Sequence, residues 1–480
     1  MMIEIMGKYI ILYFFLVLAV LLLEYPVMYD NFYMVNMLLI AFFSTTVFIY
    51  ILKKNRKFYC FSVVFMVLMS YCIVHFQGYI DFCLGFNEKN ARYYFYDINI
   101  APEACRVSVL GLLSFFSGYL CANTNKDWVV IKFIDRRKQF YSISPLLGIS
   151  YVLYALFLLT VGKSYLSGVY GGTEHWSYVS RQLYPLFLYS IYSIIIIKYF
   201  NMEIANYEDK SFLSYIKNIG YATSFIVFLN IIVCVWIGDR GPVISSLLIY
   251  FSYYFIRCKK ITFLEFIFLV AVSGIFMLIL QSVRIGDINS AYLNFFERLI
   301  LSFDNITDKL FGGISIFPPT KELSVSVRCL HAAVSEIPSQ IDYGLGKYFL
   351  YQIISLVPFF GRFVDFSGYN ITAFLFTDIL SGYYGLYYGY GTTILADFYA
   401  DFGIFSAMLG MFLVGFVVNL LDKTLFSSRK VSMLTLTIAL IYLQQSIYMA
   451  RNNFLSPLKI AIWCFIFIKI SNLFNKQKSY

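Results

Sequence analysis

The chain has 480 residues, 60% of them hydrophobic and 13% charged. A soluble domain carries about 45–50% apolar and about 25% charged residues, so this excess excludes a single soluble core and matches lipid as the solvent. The net charge of +10 invites a nucleic-acid partner. That class is excluded because the lysines and arginines sit in short clusters between apolar runs, where they orient a membrane protein.

Apolar runs long enough to cross a bilayer as helices fall near 9–28, 32–52, 58–76, 105–122, 145–162, 183–199, 219–237, 241–256, 261–280, 391–418, 431–448 and 454–471. They predict an all-α, polytopic transmembrane bundle of twelve spans, a single integral membrane domain over 1–480. The first run could pass for a signal peptide, but Leu23-Glu24-Tyr25-Pro26 is not a small-residue cleavage site. The basic clusters follow the even-numbered spans: Lys53 to Lys57, Lys126 to Lys138, Lys198 to Lys217, Arg257 to Lys260, Lys423 to Lys430, and Lys469 to Lys478 at the tail. The positive-inside rule then places both termini in the cytoplasm. Residues 281–390 form a large external loop. Within it, 343–360 is apolar but short and reaches Pro358, which suits a helix lying on or dipping into the membrane.

Ionisable groups at the external membrane edge are the candidates for chemistry, because a charge near lipid is costly and usually marks a site. Asp239-Arg240-Gly241-Pro242 is a tight turn in which Pro242 suits the start of a helix. Arg240 beside that helix N-terminus would meet an anion; the plain alternative is an Asp239–Arg240 pair or a snorkelling arginine. Arg284 closes the ninth span, Arg328 and His331 share a face if their stretch is helical, Arg362 follows Phe360-Gly361, and Arg451 sits in the last external turn. Each arginine singly is more often solvated or structural; gathered together, their planar forks of donors would fit phosphate oxygens. Of three histidines, His331 is the candidate general base, because an ordinary imidazole titrates near neutral pH, although a lone histidine is more often structural.

The Tyr/Gly run Gly382 to Gly391, with Tyr390, offers flat apolar faces with hydroxyl tips for sugar rings, or an interfacial turn. Asp397 and Asp401 share a helix face with Tyr399 between them and could bond sugar hydroxyls or pair with the arginines. No metal site is implied: the chain has no HExxH, DxD or CxxC. Gly162-Lys163-Ser164 resembles the end of a P-loop, but Phe157 stands where that loop needs glycine. Most of the nine cysteines lie in spans as small hydrophobes, and only Cys83, Cys105 and Cys329 are placed where a disulfide could form.

Two stretches carry a resemblance. Gly238-Asp239-Arg240-Gly241-Pro242, and Gly389-Tyr390-Gly391-Thr392-Thr393 through Ala396-Asp397-Phe398-Tyr399-Ala400-Asp401-Phe402-Gly403, are similar to segments of the bacterial O-antigen and capsule polysaccharide polymerases, the Wzy family. The overall pattern of many spans and a late external loop resembles that family over most of the chain. Some members start an Arg-x10-Gly pattern in two loops; here Phe251, Phe295 and Ser339 stand where those glycines would be. The resemblance implies a metal-independent transferase, without cofactor, in the bacterial inner membrane. It would move a growing glycan from undecaprenyl diphosphate to the terminal sugar of a new lipid-linked repeat unit. Arg240, Arg284, His331 and Asp397 would be catalytic, and Arg328, Arg362, Arg451, Asp401, Tyr399 and Tyr390 would bind substrate. Its partners would be the lipid-linked oligosaccharide, the bilayer and a chain-length regulator protein. A ligase using the same carrier lipid is the nearest alternative. A flippase or transporter is the alternative of another class, which the lack of paired helix breaks in the two halves disfavours.

Overall fold

A computed structural model describes residues 2–54, 59–86, 95–124, 141–166, 168, 176–207, 209, 211–283, 296–300, 303, 315–357, 392–426 and 431–476. Among the described residues all regular structure is helical and no strand occurs. The helices are α1 (Met2–Leu22), α2 (Asn31–Lys54), α3 (Val63–His75), α4 (Gln77–Cys83), α5 (Ala101–Thr124), α6 (Ser144–Thr160), α7 (Lys163–Leu166), α8 (Tyr178–Ile204), α9 (Phe212–Ile219) and α10 (Tyr221–Ile237). They continue with α11 (Arg240–Tyr253), α12 (Phe263–Val283), α13 (Lys321–Ser324), α14 (Val327–Glu336), α15 (Lys347–Ile354), α16 (Ile394–Phe402), α17 (Ile404–Phe426), α18 (Met433–Gln445) and α19 (Ser456–Lys476). A turn of 3-10 helix, Ser446–Arg451, follows α18.

Among the described residues seven helices are long and apolar enough to cross a membrane, or up to nine if each bent pair is one span. The shortfall against twelve lies in shorter helices: Gly7–Leu22 and Ser144–Thr160 are apolar but only 10–17 residues long, and α3, α10 and α11 have 13, 17 and 14 residues. The expected third span, 58–76, is α3, which ends at His75 as expected, and α4 departs from it at 45°. The seventh, expected over 219–237, is the unbroken α10; it is preceded at Gly220, whose φ of +100° suits glycine, by α9, which meets it at 97°. The tenth, expected over 391–418, is two helices: Gly403 has φ +65° and ends α16, and the long apolar helix starts at Ile404. Large apolar side chains are exposed along α1, α2, α12 and α17, including Phe15, Phe42, Phe268 and Phe405. Water would not tolerate that surface and lipid does, so the chain is an integral membrane protein. All nine cysteines are free.

The chain divides into two compact units. The first comprises Met1–Val130, Gly313–Lys423 and Gln445–Lys459. Its rod is α5, which is buried over most of its length and packs on α1 and α2. Glycine lets α17 approach it: a Cβ at Gly118 would stand 1.9 Å from the Phe412 carbonyl oxygen, and one at Gly415 2.1 Å from that of Phe115. Small residues at such crossings allow the backbone contact that holds helices together in lipid. At the end of α17, Asp422 accepts from the first amides of α3, Val63 at 2.8 Å and Val64 at 3.2 Å. A carboxylate there satisfies orphan donors and favours the positive end of the helix dipole.

The second unit comprises Ile131–Gly312, Thr424–Gln444 and Ile460–Tyr480. Here α6 lies along α8, joined by a hydrogen bond between the Ser150 and Ser190 hydroxyls (2.8 Å) and by Tyr154 stacked on Phe187 with centroids 4.4 Å apart. Ser193 of α8 donates to the Cys464 carbonyl at 3.0 Å, and Arg257 pairs with Glu203.

Candidate functional site

The first unit gathers most of the described candidates. Its platform is the break between α3 and α4. Gln77 donates to the Ser315 hydroxyl and the Phe317 carbonyl (2.9 and 3.0 Å), and Asp81 accepts from the Ser315 hydroxyl at 2.6 Å and the Ile316 amide at 2.7 Å. These buried polar groups fasten residues 315–320 to α4, and that segment delivers α13 and α14. Burial and the Arg328 charge lower the Lys321 ammonium, which Asp81 raises.

Arg328, Cys329 and His331 are buried on α14. The His331 Nε2 lies 2.8 Å from the Tyr79 hydroxyl, and the Phe95 ring stacks on the imidazole at 5.4 Å. The His331 Nδ1 has no partner among the described residues. Burial, then the charges of Arg328 and His75, push the His331 imidazole down to about 3. It is therefore neutral at physiological pH and takes up a proton only reluctantly. His75, at the end of α3, is fully buried, and neither ring nitrogen has a partner among the described residues.

Helix α16 is capped by Thr393, whose hydroxyl accepts from the Ala396 amide. Asp397, in its first turn and 3% exposed, accepts from the Thr392 hydroxyl at 2.6 Å and from the Gln352 amide at 3.4 Å. Asp401, one turn on, serves α15 instead. It accepts from the amides of Gly346 (3.0 Å), Tyr348 (3.2 Å) and Phe349 (3.0 Å). Burial raises the Asp401 carboxyl, and those three amides oppose the rise. Gly344 is needed beside it, since a Cβ would lie 2.4 Å from the Tyr348 ring and 2.7 Å from an Asp401 oxygen. The seated helix buries Tyr348 and Gln352 and exposes Leu345, Phe349, Leu350 and Ile353. The apolar stretch expected near the membrane is thus a short helix with one bare apolar side.

Charges meet around Cys329. Burial pushes its thiol up to about 12, Arg451 and Arg328 pull it down, and Asp397 pushes it up. The first unit therefore brings together Arg328, His331, Asp397 and Arg451, residues from α14, α16 and the Ser446–Arg451 turn. Asp397, held by a hydroxyl and an amide, acts on the same thiol as the two guanidinium groups; a carboxylate can accept a proton and guanidinium groups can neutralise an anion. Tyr399 is buried on α16, and burial, together with the nearby carboxylate of Glu103, raises its hydroxyl.

Arg240 lies in the second unit as the first residue of α11, after Asp239, which accepts from the Tyr165 hydroxyl at 3.1 Å. Gly238, at φ +83°, makes the turn. Arg284, Arg362 and Tyr390 lie outside the described residues. Sequence reasoning did not single out Gln77, Asp81 or Arg106, and it passed over His75 in favour of His331. Arg106 carried a readable signal, a charge inside an expected span, whereas the other three had no spacing to mark them. Among the described residues no group of three His, Cys, Asp or Glu side chains could hold a metal ion.

No curated protein and no solved structure matches the chain. The family model described as O-antigen polysaccharide polymerase Wzy matches residues 9–478, nearly the whole length, over both units and every candidate residue above. The chain therefore belongs to the O-antigen polysaccharide polymerase Wzy family.

Proposed function

We propose that the protein polymerises lipid-linked repeat units at the external face of the bacterial inner membrane, with both termini in the cytoplasm. The gathering of Asp397, Arg328 and Arg451 within electrostatic reach of the buried Cys329, in a chain of this family, carries the reading. The acceptor sugar hydroxyl gives its proton to the Asp397 carboxylate. Its oxygen bonds to the anomeric carbon of the growing glycan, the bond from that carbon to the diphosphate oxygen breaks, and undecaprenyl diphosphate leaves. Arg328 and Arg451 stabilise the charge developing on the diphosphate. The leaving group is a stable anion, so arginines suffice in this scheme without a metal. Asp397 is favoured over His331 as the base because the buried imidazole holds a proton too weakly. His331 then acts as a neutral hydrogen-bonding group, and Asp401 acts by seating α15. Arg362 is a further proposed contact to the diphosphate, and Tyr390 and Tyr399 to sugar; Arg240 and Arg284 are proposed anion-binding residues of the second unit, and a chain-length regulator is a proposed partner.

The test is deletion of the gene in its host, with surface and lipid-linked glycan resolved by size. Loss of the high-molecular-weight ladder with single repeat units retained is the expected result. Lipid-linked polymer that never reaches its final acceptor would instead mean a ligase, and units trapped on the cytoplasmic side would mean a flippase. Complementation with Asp397→Asn should lower polymer formation by about a hundredfold or more at unchanged protein level.

A further inference from the structure

The first unit contains a second feature that the reaction scheme leaves unused. Between α1 and α2 runs a cleft of about 580 Å³, walled by Leu12, Leu16, Met37, Ile40 and Val47. Tyr13 also lines it, but its hydroxyl is engaged with the Ser44 carbonyl at 2.8 Å. Leu12, Leu39 and Phe43 along its rim are exposed, so the cleft opens on the lipid-facing surface. Leu23 also lines it, and its carbonyl accepts from Nη1 of Arg106 at 3.2 Å, so that guanidinium lies directly behind the cleft lining.

Arg106 is ion-paired with Glu103 and bonded to the Leu23 carbonyl, but one of its donors is left unfilled among the described residues. It is 8% exposed, and its guanidinium lies 4.7 Å from the centre of the Tyr25 ring. Its contact with Glu103 is 3.9 Å, too long for a hydrogen bond, and its Nε has no partner among the described residues. A guanidinium so buried needs its donors filled, and a phosphate supplies acceptors in the geometry of its fork. Tyr399, two residues beyond Asp397, lies within electrostatic reach of Glu103, Tyr25 and Arg106. The charges beside the cleft thus act on a residue of the helix that carries the candidate acid.

We infer that the α1–α2 cleft holds the isoprenoid tail of a polyprenyl phosphate lipid, with Arg106 binding the phosphate. The inference rests on the polymerase reading, which requires such a carrier. One cleft with one cation beside it fits a lipid with a single tail and a terminal charge; a diacyl phospholipid would leave its second chain unhoused.

The test uses the full chain in nanodiscs and a polyprenyl phosphate carrying a photoreactive diazirine in its tail. Labelled peptides should come from α1 and α2, and unlabelled polyprenyl phosphate should compete where phosphatidylglycerol does not. Ile40→Trp, which fills the cleft, should cut labelling there at least about tenfold. Arg106→Gln should weaken competition by polyprenyl phosphate about tenfold, the worth of one charged hydrogen bond, and leave competition by the uncharged polyprenol unchanged. Equal competition by phosphatidylglycerol would make the cleft a bulk-lipid contact and overturn the inference. So would an accumulated Arg106→Gln protein with unaltered phosphate preference, which would make Arg106 a tie between α1 and α5. Labelling confined to other helices would refute the cleft while the polymerase reading stands on the glycan ladder. A ladder that survives gene deletion would remove the reading itself. If Arg106→Gln fails to accumulate, peptide mapping and Ile40→Trp still decide.

Discussion

Asp397 and Asp401 stand four residues apart on α16, and their partners separate their roles. Asp397 meets a hydroxyl and a side-chain amide, whereas Asp401 meets three backbone amides of another helix. Arg328→Lys tests the arginine beside them: lysine keeps the charge but loses the planar fork. Polymer formation should fall nearly as far as in Arg328→Ala, and full activity in the lysine variant would reduce Arg328 to a point charge. His331 makes a prediction in pH. Its folded value near 3 lies below the ordinary 6.5, so the folded state binds fewer protons than the unfolded one as acid is added. Stability from this residue is complete above about pH 6.5 and is lost as pH falls from there towards about 3, by up to about 1.4 kcal/mol per pH unit. Thermal melts across that range should show a smaller acid loss in His331→Gln than in the parent. Parallel curves would mean that His331 is not held neutral by the fold.

At the scale of elements, two devices position the site. The Asp401 cap seats α15 on α16, so Asp401→Ala should cost about 1–2 kcal/mol of local stability. Limited proteolysis within 343–357 should accelerate in that variant, with cleavage elsewhere unchanged. The Gly118–Gly415 crossing sets how closely α5 and α17 approach. A side chain at Gly118 must push the Phe412 backbone away, and overpacking of this kind costs about 1–3 kcal/mol. Gly118→Leu should therefore lower the protein's level in the membrane more than Gly148→Leu, where a Cβ meets nothing within 4 Å. These helices were legible from their apolar runs, because lipid demands about twenty apolar residues per crossing. Their breaks were less legible. Gly220 and Gly403 look like ordinary glycines in sequence, and only their positive φ shows that the chain turns there.

At the scale of the whole molecule, composition alone identified lipid as the solvent, since 60% hydrophobic residues cannot be buried in one soluble core. The short stretches around Arg240 and Asp397 pointed to the polymerase family, and the match over residues 9–478 shows that membership. Both termini are expected in the cytoplasm. Reporter fusions at each end should be active only when the reporter works inside the cell, and an external signal from either would change the parity of the spans.

Hydropathy and charge are additive along a chain, so the sequence by itself determined the membrane class, the helical architecture, the family and a short set of candidate residues. Which of those residues lie near one another depends on distances between segments far apart in sequence, and only the tertiary structure decided that. It brought Arg328, Asp397 and Arg451 within electrostatic reach of one buried thiol, turned Asp401 to the amides of α15, and buried His331 completely. Burial and partnership are properties of the packed helices, and no residue carries them alone.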